Sequence, residues 1–244
     1  MFLAALVLVW EIFVRLSHIS SLLVPSPEGV WGALAEGFTS GTIPRAVLAS
    51  MGRMLIGYGL AVAIGLPLGV AIARVSAIRD TIGAAAMGLQ TLPSICWLPM
   101  ALLWFGLSEK AVIFVVVMGA TFSITTAVDD GIRNVSPLLI KAGRTLGARG
   151  LRLQTAVVLP AALPTIVTGL KLGWSFAWRS LMAGELLYSE QGLGRVLTTG
   201  RDLQDMAQVA SAIIVILALG LLINAYVFGP VERALANRYG LTGD

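Results

Sequence analysis

The sequence has little charge and almost no cysteine or histidine. Of its 244 residues only 12% are charged, and it holds one cysteine, Cys96, and one histidine, His18. A single cysteine excludes an internal disulfide framework, and one cysteine with one histidine cannot provide the ligand spacing of a structural zinc or iron site. We therefore predict no metal site and no cofactor bound to this chain.

Residues suited to catalysis are equally scarce. The lone His18 lies at the end of an apolar stretch, and no Ser/His/Asp or Cys/His arrangement can be assembled around it. None of the three lysines lies in a G-x-x-x-x-G-K-[ST] phosphate-binding loop. The sequence predicts no catalytic residues, so we expect this chain not to be an enzyme.

Long apolar stretches dominate what is present. Hydrophobic residues make up 57% of the chain, which excludes an ordinary soluble domain. A hydrocarbon core of about 30 Å requires roughly 20 apolar residues in a helix. Six stretches are long enough or nearly so: 2–19, 46–73, 84–106, 111–128, 164–188 and 207–229. We predict an all-α integral membrane protein with about six transmembrane helices, in one domain covering residues 1–244.

The first stretch is the weakest, because it is short and contains Glu11 and Arg15. A signal peptide is the alternative interpretation. However, no basic segment precedes Phe2 and no clear small-x-small cleavage site follows the stretch. We interpret it as a transmembrane span.

Basic residues are distributed unevenly among the segments between spans. If both termini are cytoplasmic, the inside segments hold Arg74, Arg79, Arg133, Lys141, Arg144, Arg149, Arg152, Lys171, Arg233 and Arg238. The outside segments then hold Arg15, Arg45, Lys110, Arg195 and Arg201. Cytoplasmic segments carry the excess of Lys and Arg, so the sequence predicts that both termini are cytoplasmic. Aromatic residues lie mostly inside apolar stretches, and we expect no nucleic-acid partner.

Prolines and glycines predict where the spans bend and where they approach one another. Pro67, Pro93 and Pro99 indicate bends, because the backbone groups that proline frees must be satisfied by neighbouring helices or water. The Gly-x-x-x-Gly pairs at 65–69 and 169–173 favour close helix approach. No long internal repeat is visible, so inverted-repeat carriers receive no support from symmetry.

The segment between spans four and five, about residues 129–163, is far longer than a turn between antiparallel helices requires. Residues 137–147 predict a short amphipathic helix with a basic face, and residues 152–159 predict a second short helix ended by Pro160. The apolar stripe of the first helix consists of Leu139, Ala142, Gly143 and Leu146. Such a hairpin either lies on anionic lipid or docks on a cytoplasmic partner.

A spacing within this segment is similar to that of a known family. Lys141-Ala142-Gly143 is followed by three residues, Gly147, nine residues and Val157-Val158-Leu159-Pro160. This resembles the cytoplasmic loop of type I ABC importer permeases, whose pattern is Glu-Ala-Ala, three residues, Gly, nine residues and Ile-x-Leu-Pro. Lys141 stands where the family usually has an acid. Gly143, in place of alanine, costs about 1 kcal/mol of helix propensity, which we expect a docked partner to offset.

Further residues resemble one branch of that family, the permeases for nitrate, aliphatic sulfonates, taurine and bicarbonate. They are Pro25-Ser26-Pro27, Ser50, Arg53, Gly57, Leu92-Pro93, Leu98-Pro99, Trp104-Phe105-Gly106, Gly169-Leu170-Lys171, Ala177-Trp178, Glu185 and Gly192-Leu193-Gly194. The resemblance covers about residues 25–195, most of the chain.

The resemblance implies a multi-pass permease of a bacterial inner membrane. Its expected partners are membrane lipid, a second and identical permease subunit, cytoplasmic ATPases that bind ATP and Mg²⁺, and an extracytoplasmic substrate-binding protein. The loop would contact the ATPases. The residues expected there are Leu139, Lys141, Ala142, Gly143, Arg144, Leu146, Gly147, Arg149, Leu151, Arg152, Leu159 and Pro160.

Three charged residues fall within or near the spans. Arg53, Arg179 and Glu185 each cost about 2.5–3.5 kcal/mol at the centre of a membrane, so they need partners or water. We consider them candidates for a translocation path, in which Arg179 lines a route for anions. The alternative is a stabilising ion pair or a side chain that reaches the interface. The alternative functions are an ion-coupled secondary carrier or channel and a non-transporting scaffold.

Overall fold

The chain is almost entirely helical in the computed structural model, which describes residues 2–16, 23–188 and 190–239. In chain order the helices are α1 (Phe2–Leu16), α2 (Pro27–Thr39), α3 (Thr42–Arg74), α4 (Ser76–Gln90), α5 (Ser94–Phe105), α6 (Glu109–Arg133), α7 (Pro137–Thr145), α8 (Gly150–Leu187), α9 (Leu193–Asp202) and α10 (Met206–Tyr239). Short π-helical turns lie inside α4, α8 and α10 at Arg79–Gly83, Gln154–Val158 and Asn224–Phe228.

Among the described residues, four helices are long and apolar enough to cross a membrane: α3, α6, α8 and α10. The pair α4 and α5 adds a fifth span if the two are counted as one broken helix. Five of the six predicted stretches fall on these helices, and the all-α membrane class is confirmed. The first stretch falls on α1, which has 15 residues, and residues 17–19 of that stretch lie outside the described residues.

The third span is broken at the predicted proline. The axes of α4 and α5 differ in direction by 106°, and the break lies just before Ser94. Pro93 cannot donate a backbone hydrogen bond and restricts the residue before it, so the helix stops there. Pro99 sits in the first turn of a helical segment, where proline is tolerated, and α3 continues through Pro67. Of the three prolines, Pro93 is therefore the one at which a span is interrupted.

The core is built around α6, which lies between α3 and α8. Both predicted glycine pairs allow close approach to this central helix. A Cβ added at Gly65 of α3 would lie 3.0 Å from Cγ2 of Ile124, and one added at Gly173 of α8 would lie 2.7 Å from its Cγ1. Ile124 is fully buried. The glycines thus bring α3 and α8 against the same side chain of α6 from two sides.

The start of α8 differs from the prediction. Residues 152–159 do not form a separate short helix that ends at Pro160, because α8 runs from Gly150 to Leu187. The π-helical turn before this proline explains the continuity. There the N–H of Leu159 donates to the carbonyl of Gln154, five residues back, so the hydrogen-bond ladder has already shifted when the chain reaches Pro160.

Candidate functional site

A rigid turn joins α7 to α8. We call residues 137–153 the coupling hairpin. Gly147 has φ +86°, a left-handed conformation that suits glycine. The N–H of Ala148 donates to the carbonyl of Gly143 at 2.9 Å, and the N–H of Gly147 donates to that of Arg144 at 3.0 Å. These two bonds form a Schellman motif, which fixes the end of α7.

The inner face of the hairpin contacts α8, and Gly143 lies there. Gly143 is buried, and a Cβ at this position would be 2.9 Å from Cγ2 of Val157 and 3.1 Å from Cδ1 of Leu153. The absence of a side chain therefore lets α7 lie close to α8. The sequence pattern predicts that Gly143 faces a partner. The structure instead places it against this chain, where close packing offsets its low helix propensity.

The outer face of the hairpin presents apolar side chains. Leu146 is 87% exposed, Leu138 is 74% exposed and Leu151 is 73% exposed, with Leu139 and Ala142 exposed beside them. Leu138 is absent from the predicted set, although its spacing of four and eight residues from Ala142 and Leu146 places it on the same face. Clusters of exposed apolar side chains of this kind are typical of surfaces that contact another molecule.

Four basic residues accompany these leucines. Lys141, Arg144, Arg149 and Arg152 are all exposed, and none forms an ion pair with another residue of the described ranges. Leu159 and Pro160, also predicted as contact residues, are half-buried further along α8. The outer face is therefore an apolar patch with free positive charge around it.

A buried ion pair lies near the other end of the bundle. Nη1 of Arg53 on α3 donates to Oε1 of Glu185 on α8 at 2.8 Å, and the side chains are 5% and 0% exposed. Nη2 of Arg53 also donates to Oε1 of Glu109, the first residue of α6, at 2.7 Å. The expectation that charges in the spans have partners is thus confirmed for both Arg53 and Glu185.

The same carboxylate fixes the start of α9. Ser50 Oγ lies 2.8 Å from both oxygens of Glu185 and accepts the N–H of Leu193 at 2.9 Å. The N–H of Gly194 donates to Oε2 of Glu185 at 3.0 Å. A Cβ at Gly192 would lie 2.6 Å from that oxygen, so glycine allows the backbone to approach. Glu185 therefore joins α8 to α3 and to the start of α9, and Arg53 extends the cluster to α6.

Arg179 is separate from this cluster and lines a cavity. The cavity has a volume of about 420 Å³ and lies where the broken span meets α6 and α8. Its polar lining includes Arg179, Gln90, Thr91 and Ser94. Nε of Arg179 donates to the carbonyl of Ser175 at 3.3 Å, and its guanidinium carbon lies 5.0 Å from the centre of the Phe176 ring. Arg179 is exposed, and among the described residues it is the one charged side chain of this lining.

The break in the third span is held against α8 beside this cavity. Ser180 Oγ donates to Ser94 Oγ at 2.7 Å, which ties the first turn of α5 to the helix that carries Arg179. Within the described residues, no group of three or more His, Cys, Asp or Glu side chains is placed to hold a metal ion. The chemistry of the cavity is therefore that of one guanidinium with amide, hydroxyl and aromatic groups.

Comparison with known proteins identifies the family. Residues 65–229 match the model of the binding-protein-dependent transport system inner membrane component. This chain belongs to that family of transporter permeases.

Several curated relatives cover most of the chain. A putative ABC transporter permease of Methanocaldococcus jannaschii is 31% identical over 91% of this chain and 84% of its own length. The taurine transport system permease TauC of Escherichia coli is 29% identical over 88% and 81%. The nitrate import permease NrtB of Leptolyngbya laminosa is 31% identical over 74% and 65%.

A solved structure has the same fold. The methionine ABC transporter MetNI, in an inward-facing conformation, matches with a TM-score of 0.68 at 21% identity, over 78% of this chain and 94% of that chain. Together with the family, this makes the chain the transmembrane permease subunit of an ATP-driven, binding-protein-dependent importer. Membership of this family decides against the ion-coupled carrier, which the sequence left open. In these transporters the permeases are the non-catalytic subunits.

Proposed function

We propose that the coupling hairpin is the docking site for a cytoplasmic ATPase, and that the cavity around Arg179 belongs to the path of a small oxyanion. One observation supports both the docking site and the anion path: the single helix α8 starts in the hairpin and lines the cavity with Arg179. A push on the hairpin would therefore reach the cavity through one continuous helix. ATP and Mg²⁺ would bind to the separate ATPase, and no catalytic site is proposed for this chain.

The proposed orientation places the hairpin and both termini in the cytoplasm of a bacterial cell. The hairpin end of the bundle carries four exposed basic residues, which agrees with the excess of positive charge expected on that side. The start of α9 then faces outward, where an extracytoplasmic binding protein would deliver the solute. A second, identical permease subunit would complete the path, and lipid would cover the remaining apolar faces.

The outer face of the hairpin has the composition of a protein contact rather than of a lipid anchor alone. Leu146 lies at its tip and is the most exposed of its leucines. A central apolar patch with basic residues at its rim is the usual anatomy of an interface. Lys141, which replaces the acid typical of the family, predicts an acidic or neutral partner group at that position.

Leu146→Glu tests the docking proposal. The substitution places a negative charge at the centre of the apolar patch without filling buried space. We expect the affinity for the cognate ATPase to fall about 30-fold, the factor for one interface hot spot. Co-purification of the ATPase with the permease measures this loss.

Leu203→Glu is the matched control. Leu203 is 69% exposed and follows α9, at the opposite end of α8 from the hairpin. It should leave ATPase binding unchanged. Normal ATPase recovery with Leu146→Glu would show that the hairpin is not the docking site.

The case for a small anion combines the cavity with the relatives. A cavity of about 420 Å³ is in the range used for small-molecule sites, and the guanidinium of Arg179 can donate two parallel hydrogen bonds to an oxyanion. Permeases named for taurine, aliphatic sulfonates and nitrate are among the relatives. Sulfonate and nitrate groups share a delocalised negative charge over oxygen atoms, which this arrangement recognises. Bicarbonate has the same character.

Arg179→Ala tests the path. A hydrogen bond to a charged group contributes about 1.5–3 kcal/mol, so we expect uptake of the transported anion to fall about tenfold or more. Proteoliposomes with the complete transporter, offered nitrate, taurine, an alkanesulfonate and bicarbonate, provide the measurement. Arg179→Lys, which keeps the charge, should retain part of the uptake.

Arg233→Ala is the control for Arg179→Ala. Arg233 is an exposed arginine that also donates Nε to the carbonyl four residues earlier, but it does not line the cavity. Its substitution should leave uptake unchanged. Unchanged uptake with Arg179→Ala would contradict the anion path, and loss of assembly would favour a structural role for this arginine.

A further inference from the structure

The last helix is longer than a membrane requires. α10 has 34 residues, which at 1.5 Å each span about 51 Å, against a hydrocarbon core of about 30 Å. Its final part, Gly229–Tyr239, follows a π-helical turn and lies against α8. This part contains polar and charged residues, including Glu232 and Arg238. We call it the terminal arm.

Two side chains attach the terminal arm to α8. Nζ of Lys171 donates to both carboxylate oxygens of Glu232, at 3.0 and 2.9 Å. The hydroxyl of Tyr239 donates to the carbonyl of Pro160 at 2.7 Å. The second contact lies between the coupling hairpin and the part of α8 that enters the core. The arm thus contacts α8 beyond the end of the hairpin, at Pro160 and Lys171.

The carbonyl of Pro160 is available because of a second proline. In an α-helix this carbonyl would accept the N–H of residue 164, but residue 164 is proline and has no N–H. The ladder of α8 thus shifts at the π-helical turn and then lacks a donor at Pro164, and this is a place where a helix bends easily. The Tyr239 hydroxyl supplies the donor that Pro164 lacks.

We propose that Tyr239 is a positioning residue for energy coupling. By donating to Pro160 it holds the double-proline turn of α8 straight, so that a displacement of the coupling hairpin moves the whole helix instead of bending it at that turn. The proposal rests on the proposed function, in which the hairpin receives the motion of the ATPase. Glu232 and Lys171 keep the arm in register, and the hydroxyl of Tyr239 makes the decisive contact.

Tyr239→Phe removes this hydrogen bond and little else. In the assembled transporter we expect binding of the ATPase and its hydrolysis of ATP to persist. The amount of solute transported per ATP hydrolysed should fall about fivefold, the factor for one hydrogen bond. Amide hydrogen exchange over residues 156–164 should become faster in the same variant. Exchange reports the bending of α8 directly and does not depend on where the ATPase docks.

Pro164→Ala provides the rescue. Alanine at 164 restores an N–H that can donate to the carbonyl of Pro160 within the helix, so the tyrosine is no longer needed. The double variant Tyr239→Phe with Pro164→Ala should therefore regain both the transport ratio and the slow exchange. If Tyr239 acted only through the packing of its ring, a new N–H on α8 would restore neither the transport ratio nor the slow exchange.

Tyr226→Phe is the matched control, since Tyr226 is 76% exposed and belongs to the same long helix. It should change neither quantity. The inference is overturned if Tyr239→Phe leaves exchange and transport ratio at their original values, or if the double variant stays defective in both. Failure of the docking proposal is recognised separately, because Leu146→Glu would then leave ATPase binding intact whatever the behaviour of Tyr239→Phe.

Discussion

Replacing Glu185 with alanine is expected to lower the free energy of unfolding of the permease by about 3–5 kcal/mol, the usual cost of breaking a buried ion pair. Arg53 would keep a cation almost out of contact with solvent, with only the exposed Glu109 as a partner. The hydroxyl of Ser50 and the N–H of Gly194 would also lose their acceptor. Unfolding of the purified protein in mixed detergent and SDS measures the change.

A double variant separates the pair from its individual charges. Replacing Arg53 with methionine and Glu185 with leucine removes both charges, and it should cost less than Glu185→Ala alone because no buried cation is left unpaired. Glu190→Ala is the control, since Glu190 is exposed and lies just beyond the same helix. If Glu185→Ala and the double variant lowered the free energy of unfolding equally, the unpaired charge of Arg53 would not be the cause of the loss.

Replacing Gly147 with valine is expected to reduce uptake by at least about tenfold while the permease still inserts into the membrane. A left-handed conformation costs about 1–2 kcal/mol for a residue with a Cβ, and more for a β-branched one. Apart from its two chain neighbours, no described residue comes within 4 Å of the position that a Cβ would take, so the effect comes from the backbone and not from a collision. The Schellman motif would open, and the tip of the coupling hairpin would lose its fixed direction.

Gly147→Asn is the comparison that isolates this cause. Asparagine, like valine, adds a side chain, but it tolerates the left-handed region. Uptake should therefore stay near that of the original protein. Uptake by proteoliposomes and the amount of permease in the membrane are measured for both variants. Equal uptake by the valine and asparagine variants would remove backbone conformation as the explanation.

Features set by local composition could be predicted from the sequence. The apolar stretches located the spans, and Pro93 located the break in the third. The length of the segment after α6, together with its alternation of leucines and basic residues, located the hairpin. Leu138 was omitted although the same helical spacing includes it. In each of these cases the information lies within a few turns of one helix.

Features that depend on distant residues could not be predicted. Arg53 and Glu185 are 132 positions apart, so nothing in the sequence links the two charges. Gly143 was assigned to the outer face because its spacing alone cannot distinguish a contact with a partner from one with Val157. Pro160 was expected to end a helix, and the π-helical turn that carries α8 past it has no sequence signature. The sequence singles out Arg179, but it does not show the cavity, part of whose lining comes from the break in the third span.

The arrangement around Ile124 has a consequence for how the transporter changes shape. Glycines of α3 and α8 both lie against this one side chain, and interiors packed so closely resist compression. If α3 or α8 slid along α6, the side chain of Ile124 would have to leave the space beside Gly65 or Gly173. We therefore expect the three helices to move together. Relative movement of helices is then expected to occur outside this trio, along α4 and α5.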